Sequence, residues 1–595
     1  MRENDVVFFN LHRRYINAQS NYGGFLGIFL LAAFLNDNGY ASQAFAGQLV
    51  EGKRLIDEVC QHGKAQMIGL YCDFENVTEN IFLSRYIKEQ YHLPVIVGGP
   101  QATALGQEFL QNSHCDAVVR YEGELTVLEL TAALLDGDGD LGGIDGIMYL
   151  AADGRLAINH DRALIENLDA LPFITDECFL QPAKREASLS IMTGRGCPFH
   201  CAFCHEGAHT KKVRLRSVDN VVAEIQAYID ARPKLTELFI MFTDDTFTLI
   251  PKRVRQICAA IAKWQTKLRI RWFCEAHVHT LHQHPEMIEY LAGARCQRVQ
   301  LGIEAGTQRV LDAFRKGSTP EEIKEVVRLC EQHGIPQVYS NIILGAAFFD
   351  KEVFAADMAF AKELLEIGKG IMEFGGVSYW PLPETAITKC PESYHIQIAD
   401  YDFVTSVGDF SQVYTEELTT WEISSLVKRF DAELMAYKKE MLSHQRVPHE
   451  RIMGWHDRRT KSSVYGGRWW LAIREMPQLH AYYSMLASGE ACRSLELSDD
   501  DYLAAHPMRV HDIAHSLSWS AAGGVLVNGY AMDDVDKEIY PLCTGKLSVR
   551  EIAQRLASPK AASKCGNLAS DRLMEKIKQR LQGYEEAYLI VFSKY

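Results

Sequence analysis

Three cysteines fall within eight residues in Gly194-Arg195-Gly196-Cys197-Pro198-Phe199-His200-Cys201-Ala202-Phe203-Cys204. Thiolates so close together suit metal chemistry, and three alternatives compete. Structural zinc takes four nitrogen or sulfur ligands, usually as two separated pairs. No second C-x2-C exists here, although His200, His205 or His209 could supply a fourth ligand. A thiol redox pair needs only C-x2-C and leaves Cys197 without a role. Three thiolates on an iron–sulfur cluster leave one iron open to an exogenous ligand.

The other twelve of the fifteen cysteines lie singly in apolar or helical surroundings (Cys60, Cys258 and Cys330, for example), as small buried residues do. An odd total without a secretion signal argues against a disulfide framework.

The elements around the triplet alternate. SLSIMTGRGC (188–197) reads as a buried strand entering the cysteine loop, and LRSVDNVVAEIQAYID (215–230) as an amphipathic helix. ELFIMFTDDTFTL (237–249) is a strand, Pro251 to Trp264 a helix, RIRWFCEAHV (269–278) a strand and 285–293 a helix. RVQLGIEAGTQRVLDAF (298–314), IPQVYSNIILG (335–345) and MEFGGVSYWPLPET (372–385) continue the series. Strand–helix alternation of this kind predicts a parallel sheet with crossover helices.

The C-x3-C-x2-C spacing, with Phe203 before its last cysteine, resembles the radical S-adenosylmethionine (SAM) enzymes. The resemblance implies a partial (β/α)6 barrel over 186–400, a [4Fe–4S] cluster on Cys197, Cys201 and Cys204 with SAM on the open iron, and Phe203 as a cofactor-binding residue beside them. It also implies that Asp244 and Asp245 of FTDDTF meet the methionyl ammonium, which a carboxylate can pair. Glu304 of LGIEAG would accept from ribose hydroxyls, and Glu275 is a further candidate. Each carboxylate alone reads as a solvated loop residue; position at C-terminal strand ends is what singles them out. The family's G-x-P-G-E-T is replaced by GAAFFD (345–350).

Residues 1–140 read as an α/β, doubly wound, flavodoxin-like sheet: DVVFFNL (5–11), a helix over GGFLGIFLLAAFLNDNGY (23–40), AQMIGLYCDF (65–74), LPVIVGGP (93–100) and CDAVVRYEGELTVLEL (115–130). Gly98-Gly99-Pro100-Gln101-Ala102-Thr103 and Glu122-Gly123-Glu124 resemble the "GGPHAT" and "GEGE" loops of cobalamin-binding domains, with Gln101 in place of the usual histidine. The resemblance implies cobalamin held by Gly98, Gly99, Pro100, Gln101, Thr103, Glu122, Gly123 and Glu124. No D-x-H-x-x-G is present to offer the cobalt a lower ligand. The competing reading is a degenerate nucleotide-binding fold kept for packing. Residues 141–185 are expected as a linker.

Residues 401–504 are mainly helical, with SVYGGRWWLAI expected as a short aromatic strand. From 505 to 595 come short strands with Gly-Gly and Asn-Gly turns (516–534), helix–turn–helix with a Ser548…Glu551 capping box, a helix over 570–581 and a last strand, AYLIVF. This resembles the PqqD-like winged-helix module, which implies a leader peptide bound by strand addition. A DNA-binding winged helix and a vestigial domain that merely packs on the barrel are the competitors; against the first, 12 Lys/Arg and 10 Asp/Glu include no basic recognition helix. In the apolar stripe Val535, Ile539, Leu542, closing the module's own core competes with peptide binding.

The net charge of −15 argues against a nucleic-acid partner. The longest apolar run, Gly23–Leu35, is too short to span a bilayer, and the opening MRENDVVFFN is no signal peptide; a cytoplasmic protein with no membrane partner is expected. The resemblance implies a 5′-deoxyadenosyl radical that abstracts hydrogen from an unactivated carbon of a precursor peptide, methyl transfer from methylcobalamin, and an electron donor such as flavodoxin or ferredoxin. Cobalamin-associated rearrangement or cyclisation, and methylation of a small metabolite, are the alternatives. A non-catalytic peptide binder would need no open iron site.

Overall fold

The computed structural model describes residues 3–12, 26–181, 187–205, 212–399, 410–461, 467–512, 516–521, 524–558 and 570–593, and the chain divides into two compact units, Met1–Ala432 and Glu433–Tyr595.

The first unit holds two parallel sheets. Strands β1 (Asn4–His12), β2 (Ser42–Gln48), β3 (Ala65–Tyr71), β4 (Val95–Gly98) and β5 (Ala117–Val119) run parallel in the order 2-1-3-4-5, the flavodoxin-like winding. The Val/Ile/Phe runs of β1, β4 and β5 follow from burial on both faces. Val6 and Phe8 pack on one side under the helix Leu26–Asp37, and Val7 and Phe9 on the other. That helix begins the described part of the stretch expected over 23–40; residues 23–25 lie outside the described residues.

The stretch 141–185, expected as a linker, instead extends this sheet. Strands β6 (Ile147–Leu150) and β7 (Leu156–Ile158) form an antiparallel hairpin on the β5 edge. Asp138, Asp140, Gly142 and Gly143 signal turns so strongly that the short strands behind them are hidden. The hairpin covers an edge that β5 would otherwise present.

The second sheet is six-stranded and parallel: β8 (Ser188–Ile191), β11 (Glu237–Phe242), β12 (Arg269–Ala276), β13 (Cys296–Leu301), β14 (Val338–Leu344) and β15 (Met372–Ser378), in chain order across the sheet. Helices Val218–Asp230, Pro251–Trp264, Glu286–Gly293, Pro320–Gln332 and Lys351–Gly368 connect them. β8 and β15 remain unpaired with each other, so the barrel is open. Two short strands, β9 (Gly194–Arg195) and β10 (Arg214–Leu215), pair antiparallel at the β8 end.

In the second unit, RWWLAI is helical within Gly467–Arg474 and not the expected aromatic strand, because Trp469, Trp470, Ala472 and Ile473 recur at helical spacing and are buried. The C-terminal module also reaches back beyond 505. Ile590–Ser593 is the middle strand of an antiparallel trio, flanked by Ala491–Cys492 and His506–Arg509. A wing of three short strands, Leu517–Trp519, Val525–Val527 and Tyr530–Ala531, turns at Asn528-Gly529, both with positive φ. The Ser548/Glu551 capping box is formed. Ile539 lies in the module's core, with Val535 and Leu542 packed against it, so that stripe closes the domain itself.

Candidate functional site

The cysteine loop leaves the barrel sheet after β8 and is bracketed by the β9–β10 clasp, where Arg195 faces Arg214 and Gly194 faces Leu215. Ala202, between two of the cysteines, is held on both sides. Its N–H donates to the Phe314 carbonyl at 2.9 Å, and its carbonyl accepts from the Ile387 N–H at 3.1 Å. Phe203 packs edge-on against Phe314, with ring centroids 5.0 Å apart, so it braces the loop. Phe199 stacks on His277, the residue that follows β12, at 3.7 Å and 11°. Burial, followed by the Lys316 charge, pushes the His277 imidazole down to about 3 and keeps it neutral.

Cys197, Cys201 and Cys204 are all half-buried and none is in a disulfide. Among the described residues no three His, Cys, Asp or Glu side chains form a preformed site for a single ion. Three soft thiol donors on a backbone pinned at Ala202 suit a cluster whose remaining iron is left to another ligand.

The expected SAM-contacting carboxylates separate into different roles. Asp244 is buried and accepts from the Thr193 N–H and hydroxyl and from the Gly194 N–H at 2.9 Å. Its carboxylate therefore shapes the turn before the cysteines and is not among the residues that line the main cavity. Asp245 lines the main cavity. Glu304, with φ +67°, lies 3.7 Å from the buried Lys316 ammonium. Glu275 is on the barrel's inner face, where it accepts from Gln300 at 3.1 Å. Burial and the charges of Asp245 and Glu304 push its carboxyl up to about 7.

Other inward residues went unnoticed in the sequence. The Arg298 guanidinium lies 4.2 Å from the Tyr339 ring centre, and the Tyr339 hydroxyl donates to Asn341 at 2.8 Å. Their signal is a period-two polar alternation inside otherwise buried strands, R-V-Q over 298–300 and Y-S-N over 339–341.

The LGIEAG turn is secured from behind. Buried Asp357 accepts the Gly306 N–H at 2.7 Å, and burial pushes its carboxyl up to about 7. The folded chain therefore keeps this proton between the unfolded value near 4 and about 7, so stability falls as pH rises through that window and levels off above it. Asp357→Asn keeps an acceptor but cannot ionise. Thermal unfolding at pH 5 and pH 8 should show a smaller loss for the variant, by at most roughly 3 kcal/mol. Equal losses in both proteins would refute the assignment.

A cavity of about 420 Å³ opens between the C-terminal strand ends of the two sheets. Its floor includes Phe8, Gly69, Tyr71 and Gly98 from β1, β3 and β4, the switch point where a 2-1-3-4-5 sheet takes ligands. Of the residues expected at cobalamin, Gly98, Gly99, Pro100, Thr103, Glu122, Gly123 and Glu124 line it, and Gln101 does not. Gly194, Arg195, Gly196, His205, Thr243 and Asp245 form the barrel-side wall. Apolar walls, glycine at the strand end and a polar rim fit a large, flat cofactor.

Gly99 has a different role from the one its sequence suggests. Its φ is +113°, and a Cβ there would overlap the Cys72 carbonyl oxygen, not the cavity. Gly98 is the position that opens onto the ligand space: a Cβ meets only Val119, at 3.7 Å or beyond.

Glu122 and Glu124 also do more than line the cavity. Glu122 lies 2.8 Å from Arg214 and 3.1 Å from Arg195 and accepts the Ile165 N–H at 2.8 Å; Glu124 pairs with Arg195. The two arginines hold Glu122 below the usual carboxylate range against the opposing effect of burial. Arg195 and Arg214 were not expected as site residues, since an arginine beside a cysteine loop carries no signal of its partner.

Residues 191–357 match the family model of the radical SAM superfamily, and residues 20–131 that of the B12 binding domain. The cofactors of these domains are a [4Fe–4S] cluster with SAM for the first and cobalamin for the second. An uncharacterized methyltransferase of Pyrococcus horikoshii is 32% identical over 295 residues, 49% of this chain and 60% of that protein. The anaerobic magnesium-protoporphyrin IX monomethyl ester cyclase of Rubrivivax gelatinosus is 27% identical over 248 residues, 40% and 44% of the two chains. The chain thus spans less than two thirds of these relatives.

Among solved structures, the radical SAM methyltransferase TsrM of Kitasatospora setae superposes with a TM-score of 0.54 at 18% identity, over 67% of this chain and 79% of that one. The cobalamin-dependent SAM radical enzyme OxsB does so at 0.55 and 16%, over 98% and 84%. These likenesses establish a shared fold.

Proposed function

We propose, from a chain in which a B12 binding domain precedes a radical SAM domain, that this protein is a cobalamin-dependent radical SAM enzyme that methylates an unactivated carbon. The observation that carries the reading is the shared cavity. One wall comes from the Gly98–Thr103 and Tyr121–Thr126 loops, and the other from the strand ends beside the cysteine loop. When bound, the cluster with SAM supplies a hydrogen-abstracting radical, and cobalamin supplies a transferable methyl group.

The chain's own residues hold and orient these groups. Cys197, Cys201 and Cys204 bind the cluster, Asp245 and Glu304 address SAM, and Gly98 leaves room for cobalamin. Glu275, which titrates near neutrality, can hold or take a proton on the inner face of the barrel. Flavodoxin or ferredoxin would deliver the electron. Anaerobic incubation with SAM tests the reading, with 5′-deoxyadenosine and S-adenosylhomocysteine quantified separately. Both should accumulate with a methylated product. 5′-Deoxyadenosine without S-adenosylhomocysteine would instead support rearrangement or cyclisation.

The finer reading is a genetically encoded peptide substrate. Its support is the wing's outer strand, where Leu517 and Trp519 are 53% and 74% exposed and which pairs, among the described residues, with Val525–Val527 alone. Such an edge can take an extended segment as an added strand. Leu517→Ser with Trp519→Ser should weaken modification of a leader-bearing peptide by about tenfold or more in kcat/KM while SAM cleavage without peptide is unchanged. Equal use of a free amino acid or a lipid, or no effect of the double substitution, would eliminate the peptide reading. Nucleic acid and membrane are not expected as partners; among the described residues no helix is long and apolar enough to cross a bilayer.

A further inference from the structure

We infer that Glu122 and Glu124 link cobalamin occupancy to SAM binding, so that each ligand tightens the other; this rests on the cofactor reading above. The physical basis is one network of four charges. Arg195 and Arg214 are directly opposite each other in the β9–β10 clasp, which holds both ends of the cysteine loop. Cys197 follows Arg195 by two residues. Glu122 touches both arginines, so a single carboxylate grips both strands of the clasp, and Glu124 adds a second contact to Arg195. A third segment joins through Ile165, which donates its N–H to Glu122 and accepts from Arg214 at 2.8 Å.

These side chains are only 3–15% exposed, so their interactions are weakly screened and depend steeply on geometry. Glu122 follows Tyr121 directly in the loop that lines the cavity, and Glu124 opens the helix Glu124–Thr131 that leaves it. Tyr121 lines the same cavity and holds a left-handed backbone, φ +60°, that a bulky residue rarely adopts. A ligand against that turn fixes where the two carboxylates point. They in turn fix the clasp, and the clasp fixes the frame of Cys197.

By linkage the coupling is reciprocal: cobalamin must raise SAM affinity by the same factor by which SAM raises cobalamin affinity. A strut that merely joined the two sheets would stabilise the chain and leave that factor at one.

The test uses the full chain with its cluster reconstituted anaerobically and hydroxocobalamin as the probe. The SAM Kd is measured with and without hydroxocobalamin, and the hydroxocobalamin Kd with and without SAM. The two ratios should agree, at about tenfold. Glu122→Gln keeps the shape and an acceptor but removes the charge, and it should bring the ratio to within about twofold of one, whatever it does to either Kd alone.

Should that variant not fold, Glu124→Gln, which touches only Arg195 within the network, should lower the ratio. Hydrogen exchange on the unaltered chain should also slow at residues 194–196 and 214–216 when hydroxocobalamin is added. A ratio of one in the unaltered protein, or an unchanged ratio in the variants, overturns the inference. Absence of any hydroxocobalamin binding overturns the cofactor reading itself, a result distinct from a ratio of one.

Discussion

Cys201→Ala is expected to abolish iron loading and SAM cleavage while leaving the fold intact. The backbone around position 201 does not depend on the thiol, because Ala202 is hydrogen-bonded to Phe314 on one side and Ile387 on the other. The substitution also removes a half-buried side chain, which leaves no large void. Circular dichroism and thermal unfolding of the cluster-free protein should therefore match the unaltered chain. Iron and sulfide content, the visible absorbance of the cluster and 5′-deoxyadenosine release should all fall. A loss beyond about a hundredfold is expected, greater than the 10–100-fold that outer partners of a metal site confer. A variant that keeps full iron and SAM cleavage, or an unaltered protein that takes stoichiometric zinc in place of iron, would overturn the assignment.

Two neighbouring glycines should fail in opposite ways. Gly98→Phe fits the backbone: its φ is not left-handed, and its Cβ makes ordinary contact with Val119. The ring then enters the 420 Å³ cavity beside Ile96, Tyr71 and Phe8. The protein should fold with near-normal stability and retain no cobalamin, since a phenyl ring fills space that a large cofactor cannot share. Gly99→Ala should do the reverse. Its Cβ would overlap the Cys72 carbonyl oxygen on backbone already at φ +113°, so the loop must distort at a cost well above about 1 kcal/mol. A lowered Tm, with cobalamin loss following from it, is the expected result. Retention of hydroxocobalamin by Gly98→Phe after gel filtration, or an unaltered Tm in Gly99→Ala, would show that the cavity has been assigned to the wrong face of this turn.

The architecture was legible where periodicity was long and uninterrupted. The helix Pro251–Trp264 follows directly from apolar spacing and its leading proline, and the other crossovers between barrel strands follow from apolar spacing. The β6–β7 hairpin was not legible, because strands of four and three residues carry too few alternations to outweigh the surrounding turn formers. RWWLAI misled for a related reason: its aromatics favour strands in isolation, but tertiary packing set the period.

In the site, the cysteines stand out by spacing alone. The carboxylates do not sort themselves by sequence. Asp244 and Asp245 are adjacent, yet one faces three backbone and hydroxyl donors and the other a cavity. That choice is made by the alternation of side chains at the end of β11. Glu122 and Glu124 look like ligand contacts until Arg195 and Arg214, roughly 70 to 90 residues later, close on them.

The β9–β10 clasp makes the site tolerant of changes in chain length. Because the chain enters and leaves the cysteine loop at two residues paired side by side, the span between them is closed like the mouth of a purse. Doubling the number of residues beyond Cys204 would add only about 0.6 kcal/mol of closure entropy. Arg195 and Arg214 would keep their places on the carboxylates, and the barrel would see the same two anchor points. An insertion after His205 should therefore leave both arginines seated, because the two anchors and not the length between them set the clasp.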